Sequence, residues 1–182
     1  QLDGAVDALC ALAQAHSGTV QAGRTHGQHA LPMTFGFKLA GWIDELDRDR
    51  ARLEDRLAAS FVASLGGAIG TFAAMGDKGR DVEARMAAHL GLRPAGLAMR
   101  ASYDRVSDYV SALGLLAGTA QKIAQDIVFM QRTEIGEVEE AFHTGKVGSS
   151  TMAQKRNPST ALMLVSLARM LRRDGLEALA KD

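Results

Sequence analysis

The chain has a single cysteine, Cys10, among its 182 residues. One thiol cannot form an internal disulfide or a multi-cysteine metal site, which excludes a small disulfide-stabilised scaffold and a cysteine-rich zinc site. Because Cys10 follows Leu9 in a helical pattern, we expect a buried thiol on a helix. The lack of a disulfide framework also favours a protein of the reducing cytoplasm.

Proline and aromatic residues are scarce too, and neither sign of charge is in excess. The chain has three prolines, 5% aromatic residues and 21 acidic against 21 basic side chains, so its net charge is zero. Without a global basic field we expect no binding to nucleic acid or to an anionic membrane, and any specificity for anions must be local. No apolar run approaches the roughly 18 residues of a membrane span, and no basic flank precedes an apolar stretch at the N-terminus. We therefore expect neither membrane insertion nor secretion.

The sequence is rich in helical periodicity, and its 47% hydrophobic residues can form a sizeable core. Apolar residues recur at helical spacing from Leu2, from Thr34 to about Phe61, from about Asp104 to Thr133 and onward from Pro158, with a shorter helix from about Arg80 to Leu90. No segment alternates apolar and polar residues for long enough to predict a strand. The pattern predicts an all-α bundle of long helices with loops at its ends.

Such helices have a consequence for assembly. At roughly 25 to 30 residues they would be about 40 Å long, more than the core of one short chain can cover. Broad apolar faces would remain exposed, and we expect oligomerisation through helix packing. The chain opens at Gln1 without Met and ends at Asp182 within a helical pattern, so we also expect a piece of a longer protein.

The first informative connecting segment, residues 23–30, reads GRTHGQHA and is dense in hydrogen-bond donors and imidazoles. A histidine in a loop is more often a surface or capping residue than a catalytic one, so His26 alone does not establish a site. We expect no metal, because the histidines do not have metal-site spacing on one helix; they are His16, His26, His29, His89 and His143.

The second informative segment, residues 145–158, reads GKVGSSTMAQKRNP. Most loops of Gly, Ser and Lys are flexible connectors. Here, however, Asn157 reads as an N-cap and Pro158 as the first helical residue, so the loop ends on a helix N-terminus whose free N–H groups attract an anion. The pattern predicts a mobile clamp for a carboxylate or a phosphate. The clamp would consist of a flexible glycine, Gly148, the hydroxyls of Ser149 and Ser150, and the positive charges of Lys155 and Arg156.

Residues 148–158, GSSTMAQKRNP, resemble the signature loop of the fumarase/aspartase superfamily, GSSxMPxKxNP. The stretch Thr25-His26-Gly27-Gln28 resembles a second signature of the same superfamily, and residues 133–138, TEIGEV, resemble its approach to the signature loop. The resemblance covers residues 1–182 as the central helical-bundle domain of that fold, without the N-terminal and C-terminal domains.

Within the superfamily, residues 23–30 look most like adenylosuccinate lyase. Residues 35–42, residues 66–76 and the pair Asp104-Arg105 are similar both to that group and to the bacterial 3-carboxy-cis,cis-muconate cycloisomerases. The resemblance implies a lyase that releases fumarate from a succinyl-type substrate by β-elimination. The alternatives are a cycloisomerase-like enzyme and a helical scaffold without catalytic activity.

The resemblance also implies roles for residues. A base removes a proton beside a carboxylate and an acid protonates the leaving atom, and these roles fall to Ser149 and His26. A serine is a poor base unless its alkoxide is stabilised, for which Lys155, the loop amides and the helix N-terminus are available. The superfamily implies no cofactor, a homotetramer with active sites where three subunits meet, and therefore an inactive fragment. The residues expected to bind the anionic substrate are Thr25, Gln28, Lys155, Asn157 and Ser150, with Arg24 and Arg105 as weaker candidates for substrate or phosphate contacts.

Three positions depart from the superfamily pattern. Ala153 replaces the proline after Met, which should loosen the loop. Leu162 stands where many members have a glutamate that orients the catalytic histidine, and Val106 stands where adenylosuccinate lyases often have a histidine. The change at Leu162 weakens the assignment of His26 and favours the cycloisomerase alternative or an altered substrate.

Overall fold

The computed structural model describes residues 1–98, 101–141 and 149–179, with side chains as far as residue 175. The contacts divide the chain into two compact units, Gln1–Arg50 with Gly114–Asp174 and Ala51–Leu113 with Gly175–Asp182. A short 3-10 helix, Gly76–Lys78, precedes the third α-helix. In chain order the elements are α1 (Leu2–Ala15), β1 (Val20–Thr25), β2 (Gln28–Thr34), α2 (Phe35–Ser60), β3 (Val62–Ala63), α3 (Gly79–His89), β4 (Arg93–Pro94), α4 (Asp104–Met130) and α5 (Ser159–Leu179).

The helices predicted from periodicity are confirmed, with small shifts at their ends. Helices α2 and α5 begin at Phe35 and Ser159, one residue after the predicted starts. Helix α4 ends at Met130 rather than Thr133, because the chain turns there and the Glu137 amide donates to the Met130 carbonyl at 2.9 Å. The all-α class is therefore confirmed.

The expectation of no strand is wrong for residues 20–34. Strands β1 and β2 form an antiparallel hairpin that pairs Val20 with Thr34 and Thr25 with Gln28. The two-residue turn consists of His26 and Gly27, whose φ angles of +52° and +76° match the mirror-image turns that suit strand twist. Most of β2 is exposed on both faces, so no alternation of apolar and polar residues marks it in the sequence.

The first unit has its core where α1, α2 and α4 meet. Leu39 and Trp42 of α2 pack against Met130 of α4, and Leu9 and Ala13 of α1 cover them. A second cluster joins α4 to α5, where small side chains allow close helix packing; it consists of Ala124, Ala161 and Val165. Packing thus fixes the C-terminal end of α4 and the N-terminal end of α5, the two helices on either side of the signature loop.

The second unit surrounds the end of α2. Strands β3 and β4 pair in parallel, Val62 with Arg93 and Ala63 with Pro94. The Arg93 guanidinium donates to the carbonyls of Ala58 and Ala59 at 3.1 Å, which satisfies acceptors at the C-terminus of α2. The buried Glu83 of α3 accepts a hydrogen bond from the Leu65 amide at 3.2 Å. These contacts hold α3 against the residues that follow α2.

Two expectations about the surface have different outcomes. Cys10 is half-buried rather than buried, since α1 directs Leu9 and Ala13, not Cys10, at the core. Apolar side chains of α5 are exposed as expected, among them Met163, Leu167 and Met170. Within the described part of the chain, no helix combines the length and apolarity needed to cross a membrane.

Candidate functional site

The tip of the hairpin carries the first group of predicted site residues. Thr25 ends β1, His26 forms the turn with Gly27, and Gln28 begins β2. All four residues are exposed. A two-residue turn leaves little backbone freedom, so the hairpin holds the imidazole at a defined point on the surface.

Strand β1 of the hairpin is anchored by a partly buried polar cluster that sequence reasoning missed. Arg24 Nη1 and Nη2 donate to the two carboxylate oxygens of Glu137 at 2.8 and 2.7 Å, and the Arg24 guanidinium lies 5.6 Å from the Phe129 ring centroid. Gln21 Nε2 donates to Glu137 Oε2 at 2.7 Å. The hydrogen bond from Arg24 lowers the pKa of the Glu137 carboxyl below its usual value and raises the pKa of Arg24. In this structure Arg24 therefore binds Glu137; its contact with substrate stays a prediction.

The signature loop places the predicted base among backbone donors. Ser149 Oγ accepts hydrogen bonds from the amides of Thr151 at 3.3 Å and Met152 at 3.2 Å. Donors aimed at a hydroxyl oxygen stabilise negative charge on it, which is the condition a serine base requires. Ser150 Oγ lies 3.4 Å from Thr151 Oγ1. Gly148, the predicted point of close backbone approach, lies outside the described residues.

An open cavity of about 930 Å³ adjoins the second half of this loop. Lys155 and Asn157 line it, whereas neither Ser149 nor His26 is among its described lining residues. The charged side chains around the cavity are of both signs, so a bound anion would depend on individual contacts rather than on a uniform field. They are Arg132, Glu134, Glu137, Glu139, Lys155 and Arg156.

The helix N-terminus at the end of the loop differs from the expectation. Helix α5 begins at Ser159 rather than Pro158, and the Leu162 amide donates to the Pro158 carbonyl at 2.9 Å, so Pro158 occupies the cap position predicted for Asn157. The predicted free amides are also not free. Those of Thr160 and Ala161 donate to the Glu140 carboxylate at 3.1 and 2.7 Å. The anion at this N-terminus is therefore a side chain of the same chain, because a carboxylate satisfies the first-turn donors and the helix dipole together.

The remaining predicted contact, Arg105, belongs to the second unit. Its Nη2 atom lies 3.5 Å from the Ala95 carbonyl, and its side chain lines a cavity of about 800 Å³. Arg80, which sequence reasoning did not single out, lines the same cavity together with Ser60, Ser64 and Ser102. The role of Arg105 in binding stays a prediction. Nowhere in residues 1–98, 101–141 and 149–179 do three or more His, Cys, Asp or Glu side chains converge as metal ligands would.

Comparison with known proteins gives a consistent result. A family model described as Lyase matches residues 1–171. The N-acetyl-S-(2-succino)cysteine lyase of Dickeya dadantii (strain 3937) is 44% identical over 86% of this chain and 34% of the relative. The adenylosuccinate lyase of Methanocaldococcus jannaschii is 45% identical over 91% of this chain and 36% of the relative. The chain thus spans 34 to 36% of the length of these curated relatives.

Solved structures agree with the sequence comparison. The 3-carboxy-cis,cis-muconate lactonizing enzyme from Pseudomonas putida superposes with a TM-score of 0.90 at 38% sequence identity. The match covers 98% of this chain and 40% of that one. The two succinyl-compound lyases and this muconate enzyme are therefore similar to 86 to 98% of this chain.

Proposed function

The chain belongs to the lyase family of the fumarase/aspartase superfamily, and from that premise we propose that it catalyses β-elimination from a succinyl-type substrate with release of fumarate. The observation that carries the proposal is the pair of loop amides donating to Ser149 Oγ. These donors favour the alkoxide form that can act as a base. The similarity to two lyases of succinyl compounds supports the same reaction class.

The proposed reaction requires two proton transfers. The Ser149 alkoxide takes the proton from the carbon beside a carboxylate, and the resulting electron pair is delocalised as an aci-carboxylate. That pair then forms the double bond of fumarate while the bond from carbon to the leaving heteroatom breaks. His26 gives a proton to the leaving atom. No electrons pass to an acceptor, so the proposal assigns no cofactor.

Charge stabilisation by side chains is the second requirement. We assign Lys155, Asn157, Thr25 and Gln28 to the substrate carboxylates, since ammonium, amide and hydroxyl donors are the groups that bind them. Because Glu140 occupies the N-terminus of α5, these side chains replace the helix amides as the expected ligands. The weaker assignments are Ser150, Arg24 and Arg105.

The leaving atom distinguishes the two succinyl substrates that the relatives suggest. In adenylosuccinate the leaving atom would be a nitrogen, and in N-acetyl-S-(2-succino)cysteine it would be a sulfur. A thiol has a pKa of about 8.5, so a thiolate departs with little help from an acid, whereas an amine anion requires protonation. Leu162 stands where many members have the glutamate that orients the histidine. This substitution favours a substrate whose departure depends less on His26.

A 3-carboxy-cis,cis-muconate cycloisomerase is the second candidate function. It rests on the same substitution at Leu162 and on the similarity to the Pseudomonas putida enzyme. A third possibility is a helical scaffold without catalysis, against which the presence of Ser149, His26 and Lys155 argues. A cytoplasmic homotetramer, with this chain as the central domain, completes the proposal. Sites formed from three subunits would leave a single copy inactive.

An ultraviolet assay of the full gene product tests these alternatives. Adenylosuccinate, N-acetyl-S-(2-succino)cysteine and 3-carboxy-cis,cis-muconate are offered in parallel at equal concentration. Turnover of either succinyl compound supports the proposed elimination, and turnover of the muconate alone reassigns the chain to cycloisomerisation. No turnover of any of the three contradicts both candidate activities.

A further inference from the structure

Glu140 joins two segments of the chain on either side of the signature loop. Its carboxylate oxygens accept from the amides of Thr160 at 3.1 Å and Ala161 at 2.7 Å, at the start of α5. The side chain is half-buried. Because these amides belong to the first turn of α5, the carboxylate compensates both their unsatisfied N–H groups and the positive end of the helix dipole.

Gln131, just after α4, connects the same two segments a second time. Its Oε1 atom accepts from the Glu140 amide at 3.0 Å, and its Nε2 atom donates to the Arg156 carbonyl at 3.3 Å. One side-chain amide therefore fixes the backbone at Glu140 and at Arg156. The residues between Arg156 and Ala161 are held at both ends, by Gln131 and by Glu140.

We propose that Glu140 is a positioning residue for the segment Lys155–Asn157, acting through the N-terminus of α5 and assisted by Gln131. The inference rests on the proposed function, because Lys155 and Asn157 are the side chains assigned to the substrate carboxylates. Because the Glu140 carboxylate fills the anion site of the helix, the proposal leaves recognition of the substrate carboxylates to side chains.

Steady-state kinetics of the full gene product tests the positioning role. Glu140→Ala is expected to lower kcat/KM by about 100-fold, since a displacement of about 1 Å in a binding group has effects of this size. Gln131→Met removes both hydrogen bonds of the amide at similar volume and is expected to lower kcat/KM about tenfold. Asp44→Asn is the control, because Asp44 makes an exposed ion pair with Arg48 of the same helix, α2, and less than about a fivefold change is expected.

Chemical rescue separates positioning from general destabilisation. Formate at tens of millimolar should enter the anion site that Glu140→Ala leaves empty, and it should raise kcat/KM of that variant at least severalfold. It should not raise kcat/KM of wild type or of Gln131→Met, whose site is still occupied by Glu140. Failure of formate to restore Glu140→Ala, or an effect of that substitution below threefold, would overturn the proposal.

Amide hydrogen exchange gives a readout that does not depend on activity. In Glu140→Ala the amides of Thr160 and Ala161 should exchange at least about tenfold faster than in wild type, and in Asp44→Asn they should be unchanged. Unchanged exchange in Glu140→Ala would refute the capping contact. If wild type turns over no succinyl substrate, the proposed function fails, while faster exchange would still establish the contact of Glu140 with α5.

Discussion

At the scale of single residues, His26 is the group whose importance depends most on the substrate. The imidazole lies exposed in the hairpin turn. We predict that His26→Ala lowers kcat by about 10² to 10⁴ with a nitrogen-linked succinyl substrate and by less than about tenfold with a sulfur-linked one. The difference follows because the amine must be protonated as it leaves, whereas the thiolate can leave without a proton.

Parallel kinetics of the two substrates checks this, with His29→Ala as the control. His29 is close in sequence, but it pairs with Arg24 across the hairpin and its Nε2 atom lies 3.4 Å from Arg24 Nη2, so its substitution should affect both substrates equally. Equal losses for both substrates in His26→Ala would remove the histidine as the acid for the leaving atom. A small effect on every substrate would favour cycloisomerisation.

Glu137 provides a prediction about pH. Its pKa is lowered by the hydrogen bond from Arg24, so the ionised form contributes stability that is present above the usual glutamate pKa of about 4.3 and is lost as the pH falls through the lower value in the folded protein. Glu137→Gln should reduce the free energy of unfolding by about 1 to 2 kcal/mol at pH 7. Urea denaturation from pH 7 to pH 3 should show this difference shrinking below pH 4.3, and a difference independent of pH would contradict the assignment.

The site residues that could be predicted from the sequence are those that lie within one continuous motif. Ser149 and Lys155 lie in one loop, and residue type and order there carry the chemistry. Glu137 and Glu140 could not be assigned in the same way, because their partners are 113 and 20 residues distant in sequence and no periodicity relates such positions. The anion site at α5 could be predicted, but not that the chain itself would fill it.

At the scale of elements, the hairpin depends on a turn that most residues cannot adopt. Gly27 has a φ angle of +76°, where a Cβ atom is unfavourable although no neighbour lies within 4 Å of its position. Gly27→Ala is therefore expected to lower the free energy of unfolding by about 1 kcal/mol. Gly41→Ala, the control, lies exposed inside α2 with equal space and should raise it by about 0.5 to 1 kcal/mol. Urea titrations measure both, and a stabilising effect of Gly27→Ala would contradict the assigned turn.

Helices and strands differed in how well the sequence predicted them. Helix α2 was predictable because one stripe is buried, with Leu39 and Leu46 only 1% and 5% exposed, and this burial imposes helical spacing. The hairpin was not, since Leu31 of β2 is 76% exposed and the strand has no buried face. The hairpin is stabilised by the pairing of β2 with β1 and by the conformation of its turn, and neither of these leaves a hydrophobic pattern in the sequence.

At the scale of the whole molecule, the proposed homotetramer would cover the exposed apolar face of α5. Met163, Leu167 and Met170 are 59%, 52% and 52% exposed and recur at spacings of four and three residues. An apolar stripe of this kind favours burial against another helix. A second copy of the chain is the partner that the proposed homotetramer requires, and sites would then combine motifs of different subunits.

Complementation between inactive variants tests this sharing of sites. If His26 and Ser149 of one site come from different subunits, mixing His26→Ala with Ser149→Ala and allowing subunits to exchange should restore roughly a quarter of wild-type kcat. Mixing His26→Ala with Gln28→Ala, two changes in one motif, should restore none. Activity that stays at the level of the separate variants would place both residues of each site in the same subunit.

The most direct test of the central claim is the rate of fumarate release by wild type, Ser149→Ala and Ser150→Ala, with the two succinyl compounds as substrates. We predict that wild type releases fumarate, that Ser149→Ala lowers kcat by at least about 10³ with circular dichroism and thermal midpoint unchanged, and that Ser150→Ala has a smaller effect. A Ser149→Ala enzyme within tenfold of wild type would contradict the account, because the base that begins the elimination would then lie elsewhere.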